Sequence, residues 1–169
     1  YMATEGLFAV SCSHNKLHLC EDIMSFKLSD HLNTFQFTDL IRKRQTMINY
    51  EMNDLIEISH EKCLCGQAYH IVKNIAGRAD DICVINDTQI TPDLIRNTIV
   101  DSCAITDFYF EQIKNQYFVH INDINDKETI QEALQKLAIK LTGKSFEMEF
   151  ISPIQVKENQ KLRRIKHIP

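Results

Sequence analysis

Four places along this chain hold side chains that could do chemistry. The tail from Lys157 to Lys166 carries five basic residues and one acid, and Lys161-Leu162-Arg163-Arg164 concentrates the charge. Such a cluster can stabilise charge that builds on phosphoryl oxygens in a transition state, although a solvated tail is the commoner fate of a basic run. Cys63-Leu64-Cys65-Gly66 sets two thiols one residue apart at a turn, a spacing open to a tetrahedral metal and equally to small core residues. Asp54 heads an apolar run; its two acceptor oxygens can hold a vicinal diol, while read locally it is a turn residue that opens a strand. Gly77-Arg78-Ala79-Asp80-Asp81 joins a flexible backbone position to a cation and two carboxylates, and it falls where the sequence pattern changes.

The elements that must position these groups are of two kinds. From Leu7 to Ile58 apolar residues alternate in short bursts (Leu7-Phe8-Ala9-Val10, Leu17-His18-Leu19, Phe35-Gln36-Phe37, Leu55-Ile56-Glu57-Ile58), which predicts a set of short β-strands. A turn follows at Lys62 to Gly66. After Gly77 a new pattern begins with a buried strand at Ile82-Cys83-Val84-Ile85. Pro92 in a first turn, with Leu94, Ile95, Ile99 and Val100 at helical spacing, predicts a helix. Strands over Thr106 to Gln112 and Tyr117 to Ile121, turning at Lys114-Asn115-Gln116, form a hairpin. A second helix spans about Glu128 to Leu141, with Ile130, Leu134, Leu137 and Leu141 on one face and Gly143 as its stop. Phe146 to Ile151 closes the pattern. The expected fold is α+β: a short-stranded β subdomain over 1–77, then a β-α-β-β-α-β domain over 78–169, one sheet backed by two helices.

At 44% hydrophobic and 25% charged residues the chain reads as globular rather than disordered. No apolar run reaches the ~20 residues of a membrane span, and the first residues lack a secretory signal's order, so a cytoplasmic protein is expected with no membrane partner. A net charge of -4 argues against a nucleic-acid partner. The six cysteines have no framework spacing and are expected as reduced thiols, with Cys20, Cys83 and Cys103 in the core. The remaining histidines lack carboxylate or cysteine partners at suggestive spacing and read as surface or satisfied residues. The chain opens inside Tyr1-Met2-Ala3-Thr4-Glu5-Gly6 without an initiator methionine or helix cap, and a fragment of something longer is expected.

Four motifs also stand in the order used by adenylate-forming (AMP-binding) ligases, most closely the phenylacetate-CoA ligase branch. Tyr1-Met2-Ala3-Thr4-Glu5 resembles that family's YGxTE, which would put Tyr1 against adenine, Thr4 near phosphate and Glu5 on magnesium. Ile48-Asn49-Tyr50-Glu51-Met52-Asn53-Asp54 resembles IRYRTGD, which would give Asp54 the two ribose hydroxyls. The most specific match is Ile75-Ala76-Gly77-Arg78-Ala79-Asp80-Asp81-Ile82 to IxGRxDD, which implies Arg78 near the nucleotide and Asp80 as the pivot of a mobile lid. Lys161 before Leu162-Arg163-Arg164 resembles GKxxR, implying the catalytic lysine of adenylation. Cys63-Leu64-Cys65-Gly66 is similar to the branch's CPCGR turn, and Cys12 and His18 match an upstream cysteine and an LHI histidine; the resemblance thus implies a structural zinc on Cys12, His18, Cys63 and Cys65.

By this resemblance residues 1–77 are the β-rich end of an adenylation body and 78–169 a mobile AMP-binding lid. The implied cofactors are ATP, magnesium and coenzyme A; the implied substrate is a carboxylic acid, aromatic in that branch, with CoA or a carrier as acceptor, and a homodimer is compatible with it. The family's phosphate-cradling loop and acid pocket precede YGxTE and are absent from this stretch, so the chain by itself is expected to be inactive. Several family positions differ: Met2 replaces a glycine, Glu51 a common arginine, Asn53 a Gly or Arg, Asn86-Asp87 the glycine after the hinge, and Gln160 the residue before the lysine. The post-hinge glycine flanks the family's CoA path. An adenylating synthetase without thiolation, as among deazaflavin-cofactor enzymes, therefore stays open, as does a degenerate zinc-stabilised domain that binds a nucleotide or a partner. The second half alone also fits a small-ligand regulatory module.

Overall fold

The structure is a computed structural model, and it describes residues 1–29, 34–105, 107–154 and 163–169. The chain divides into two compact units, Tyr1–Ala79 and Asp80–Pro169. No helix among the described residues is long and apolar enough to cross a membrane.

In the first unit the short alternating bursts become antiparallel strands: β1 (Met2–Ala3), β2 (Gly6–Leu7), β3 (Ala9–Ser11), β4 (Leu17–Leu19), β5 (Met24–Leu28), β6 (Phe35–Asp39), β7 (Tyr50–Met52), β8 (Asp54–Ser59) and β9 (Ile71–Arg78). Strands β1 and β2 form a small hairpin, β5-β6-β7 one sheet, and β3-β4-β9-β8 another. Phenylalanines dominate the core because alternate residues of a strand share a face. Phe35 and Phe37 both point inward from β6, and Phe8 meets Phe37 edge-on at 4.8 Å between centroids. The sequence pattern misses β9. Its Lys73, Asn74 and Ile75 are all exposed, and register shifts against β8 at Leu55/Ile56 and Glu57/Ile58 break the alternation that would announce a strand. Gly77 lies inside β9 at φ 106°, where a residue with a Cβ would be strained.

The second unit contains the hairpin β10 (Cys83–Ile85) and β11 (Thr88–Ile90), helix α1 (Pro92–Cys103), strands β12 (Phe108–Ile113) and β13 (Gln116–Ile121), helix α2 (Lys127–Thr142), and strands β14 (Glu149–Ile151) and β15 (Ile165–Ile168). Pro92 begins α1, while Gly143 ends α2 at φ 74°. Ile95 and Ile99 of α1 and Ile130, Leu134 and Ala138 of α2 pack with Phe108, Phe110, Val119 and Ile121 of the sheet. The buried stripe of α2 runs at intervals of four, so Ala138 takes the place expected for Leu141, which is 41% exposed.

One sheet built from a β-α-β-β-α-β order is not what forms. Among the described residues strand β10 pairs with β11 alone, and the four-stranded sheet runs β14-β13-β12-β15. Its fourth strand comes from the end of the basic tail. Ile165–Ile168 bonds parallel to Phe110–Ile113, and buried Ile165 joins the core. The tail's last residues are therefore a sheet edge rather than a solvated run.

Candidate functional site

Two groups of sequence-predicted residues converge in the first unit. The first begins at Tyr1, whose ring lies 5.4 Å from that of Phe8. Asp54 and Arg78 stand directly opposite each other where β8 and β9 begin and end, because the two strands pair in that register. The Ala79 N–H donates to the Asn53 carbonyl at 2.8 Å and extends this pairing by one step. The Tyr1 hydroxyl donates to Asp54 Oδ2, while Arg78 Nε lies 3.8 Å from Asp54 Oδ1. Burial, followed by the Asp54 hydrogen bond and charge, pushes the Tyr1 phenol far above its usual range, so Tyr1 is a donor here. Each Asp54 oxygen keeps a lone pair for a further donor, and Arg78 is 41% exposed, so the group remains open to a ligand. Thr4 and Glu5 form the two-residue turn between β1 and β2, Thr4 exposed and Glu5 half-buried. Glu5 is near enough to Tyr1 to help raise its phenol.

The second group is closed. Ligand atoms of Cys12, His18, Cys63 and Cys65 all lie within 4.8 Å of one another. Cys12 sits in the turn after β3, where its own N–H donates to Lys16 O, and His18 lies on the facing strand β4. Cys63 and Cys65 belong to a turn closed by the Gly66 N–H on Cys63 O, with Gly66 at φ 81°. A tetrahedral zinc with Zn–S of about 2.3 Å and Zn–N of about 2.05 Å would separate two sulfurs by about 3.75 Å and sulfur from nitrogen by about 3.6 Å. The Cys12 and Cys63 sulfurs are 3.7 Å apart, and Cys65 Sγ is 3.5 Å from His18 Nε2. The donor set thus fits that ion. The sulfur spacing is far too long for a disulfide, and all six cysteines are free thiols.

Neighbouring groups prepare these donors. His18 Nδ1 lies 3.0 Å from the Tyr69 carbonyl, which can only accept, so Nδ1 carries the proton and Nε2 of the neutral ring offers its lone pair. Burial pushes the Cys12 thiol up, but backbone hydrogen bonds from His14 and Lys16 and contacts with Cys63 and His18 outweigh it, bringing it down to about 6. Backbone hydrogen bonding at Cys65 leads the contributions that lower the Cys63 thiol. Glu21 takes the His70 N–H at 2.7 Å and His70 Nδ1 at 2.9 Å, and the His70 carbonyl accepts from Leu19. That clamp holds the segment whose Tyr69 carbonyl orients His18.

His70 is thus a satisfied residue, and the carboxylate that satisfies it is 49 residues away in sequence, beyond any local spacing. His120 likewise has Glu111 at 3.9 Å, through the pairing of β12 with β13. Asp80 lies exposed in the short 3-10 turn Ala79–Asp81. Lys161 lies outside the described residues. The surface groove of about 720 Å³ between the β3–β4 turn and strands β8 and β9 is lined by Lys16, Glu57, His60 and Lys73 among others, and by none of the predicted site residues.

Asn86-Asp87 stand at a tight turn just after the first strand of the second unit. Both residues adopt left-handed conformations, at φ 49° and 63°, and turn the β10–β11 hairpin. Asn and Asp tolerate that region better than other residues with a Cβ, and two positive φ values suit a two-residue hairpin. Asn86 Nδ2 also donates to Thr142 Oγ1 at 3.0 Å and to the carbonyls of Lys144 and Ser145, tying the hairpin to the end of α2.

No protein-family model and no curated protein matches the chain. Solved structures do. The chain is similar to 2-hydroxyisobutyryl-CoA ligase in the postadenylation state with R3-HIB-AMP, at a TM-score of 0.75 and 19% identity, over 99% of this chain and 41% of that one. The same ligase with 2-HIB-AMP in the postadenylation state gives 0.73 at 18% identity, over 98% and 40%. Its open conformation with 2-HIB-AMP and CoA gives 0.59 at 18% identity, over 98% and 41%. At these identities the likeness establishes the fold alone, α+β, and the chain spans about two fifths of that protein's length.

Proposed function

We propose that this chain is the C-terminal part of an adenylate-forming acid-CoA ligase of the phenylacetate-CoA ligase type, with its ribose- and adenine-facing wall in Tyr1–Ala79 and its lid in Asp80–Pro169. The observation that carries this reading is the meeting of Tyr1, Asp54 and Arg78, drawn from three motifs far apart in the chain. Similarity of fold to 2-hydroxyisobutyryl-CoA ligase supports it.

In the proposed reaction a carboxylate oxygen of the acid attacks the α-phosphorus of ATP, a P–O bond breaks and pyrophosphate leaves, giving an acyl-adenylate. The thiol of coenzyme A then attacks the acyl carbon, AMP leaves and the thiol proton is released. Tyr1 walls the adenine, Asp54 accepts from the ribose hydroxyls, Arg78 lies near the nucleotide and Thr4 near the phosphates. Lys161 supplies positive charge to the oxygens around the α-phosphorus during adenylation. Glu5 is a carboxylate suited to magnesium, whose chemistry here is to neutralise phosphate charge. Asp80 serves as the pivot. Zinc on Cys12, His18, Cys63 and Cys65 is structural, since four protein donors complete a tetrahedral shell.

The left-handed Asn86-Asp87 turn keeps a glycine-like backbone after the pivot, which favours thioester formation over release of the adenylate. The substrate is an aromatic acid in this reading. The test is a single-turnover reaction of the full-length enzyme with ATP, coenzyme A and a panel of aryl and 2-hydroxy acids. Stoichiometric AMP and acyl-CoA are expected. Adenylate released without thioester would instead identify a synthetase that stops after activation, and no AMP with any acid would sink the enzymatic reading.

A further inference from the structure

Three of the six cysteines stand together near the surface. Cys20 and Cys83 are buried, whereas Cys12, Cys63 and Cys65 are half-buried and share the His18 group. Cys103, also half-buried, sits by the Ser102 hydroxyl at 3.4 Å. The four residues after Cys12 are all exposed, and Leu64, between Cys63 and Cys65, is 89% exposed. Both turns are therefore on the surface of the first unit, within reach of a small solute. The sulfurs of Cys12 and Cys63 lie 3.7 Å apart although 51 residues separate them in sequence. Bringing them to the roughly 2.04 Å of a disulfide is a shift that two exposed turns, one between β3 and β4 and one between β8 and β9, can share. Cys63 and Cys65 are less suited to each other. A bond between them would close a small ring around Leu64, against the 3.2 Å hydrogen bond from Gly66 N–H to Cys63 O that shapes their turn.

We infer that Cys12 and Cys63 form a reversible oxidation site: a peroxide joins their sulfurs in a disulfide, and the zinc held by the four donors is released. This rests on the zinc reading of the same group. One thiolate attacks a peroxide oxygen, the O–O bond breaks and hydroxide leaves, giving a sulfenic acid. The second thiolate attacks that sulfur, the S–S bond forms, the S–O bond breaks and a second hydroxide leaves. The two sulfurs together lose the two electrons that the peroxide gains, and two protons from solvent turn the hydroxides into water. Sulfurs in a disulfide are no longer the thiolates that bind a metal, and Cys65 and His18 alone do not complete a tetrahedral shell. The new bond keeps the two turns joined once the ion has gone, so a thiol reductant that reopens it returns the donors to place.

The test needs no variant. Full-length protein, purified under reductant and then freed of it, is treated with hydrogen peroxide. A chromophoric chelator follows zinc, and mass spectrometry of the unreduced digest maps the bonded cysteines. Zinc release is expected in step with a linked peptide joining Cys12 to Cys63, one zinc for each disulfide. Dithiothreitol with added zinc should restore both thiols and the bound metal. The oxidised first unit should melt below the zinc-loaded form and above the chelated, reduced form, because it alone carries a covalent link in place of the ion. A linked peptide joining any other pair would overturn the proposal while leaving the zinc site standing. So would sulfinic acid at Cys12 or Cys63 that dithiothreitol does not reverse, or zinc retained at peroxide levels that already oxidise Cys103. Protein without stoichiometric zinc before peroxide is added would overturn the zinc reading and the coupled release together.

Discussion

The two side-chain groups of the first unit differ in what they leave unsatisfied. At Cys12, His18, Cys63 and Cys65 every donor faces the others, and the surrounding backbone supports the thiolates and the histidine tautomer. At Tyr1, Asp54 and Arg78 the carboxylate is held from both sides, yet it keeps lone pairs and the arginine stays partly exposed. A closed shell is what a structural metal needs, and an open one is what a ligand needs. The same strands serve both ends: β4 and β9 pair near His18, and β9 ends at Arg78 opposite Asp54.

Four experiments can break or sharpen that contrast. The largest effect is expected from zinc removal. Structural zinc binds with about 10–16 kcal/mol in small domains, so chelation or Cys65→Ser should abolish stoichiometric zinc by elemental analysis and unfold the first unit cooperatively. Asp54→Asn should do the reverse, leaving the thermal transition in place while raising KM for ATP about tenfold to a hundredfold through a lost charged acceptor. Glu21→Gln weakens the clamp on His70 behind the closed group; zinc affinity should fall about tenfold, at the low end for an outer-shell change, as read by competition with a chromophoric chelator. Tyr1→Phe should be mildest, raising KM for ATP about fivefold, the size of one neutral hydrogen bond, and narrowing the preference for ATP over 2′-deoxy-ATP. Were Asp54→Asn to melt the unit, or Cys65→Ser to change only KM, the division between closed and open groups would fail.

What the sequence makes legible follows the range of the interaction. Local periodicity identifies the helices at Pro92–Cys103 and Lys127–Thr142 and the β12–β13 hairpin, because the spacing of Ile95 and Ile99, or of Phe108 and Phe110, is written within a few residues. Strand β9 is hidden by its bulges, and β15 by the charges of a tail that only its partner β12 converts into a sheet edge. Glu21–His70 and Asp81–Arg163 join positions 49 and 82 residues apart, which no local pattern encodes. Gly77 is a clearer case in the structure than in the sequence. Its φ of 106° gives a static reason for glycine there, beside the freedom a moving hinge would need. The Cys-x-Cys turn was ambiguous alone, and only the sheet bringing Cys12 and His18 to it makes the tetrahedral spacing visible.

The central claim is that Lys161 and the Tyr1, Asp54 and Arg78 wall serve one adenylating enzyme. ATP–pyrophosphate exchange by the full-length protein, over a panel of aryl and alkyl acids and compared with Lys161→Ala, tests it most directly. Acid-dependent exchange that falls by about a hundredfold or more in the mutant is the predicted result, the scale of one lost transition-state charge contact. Exchange that is absent with every acid, or unaltered by Lys161→Ala, would contradict it.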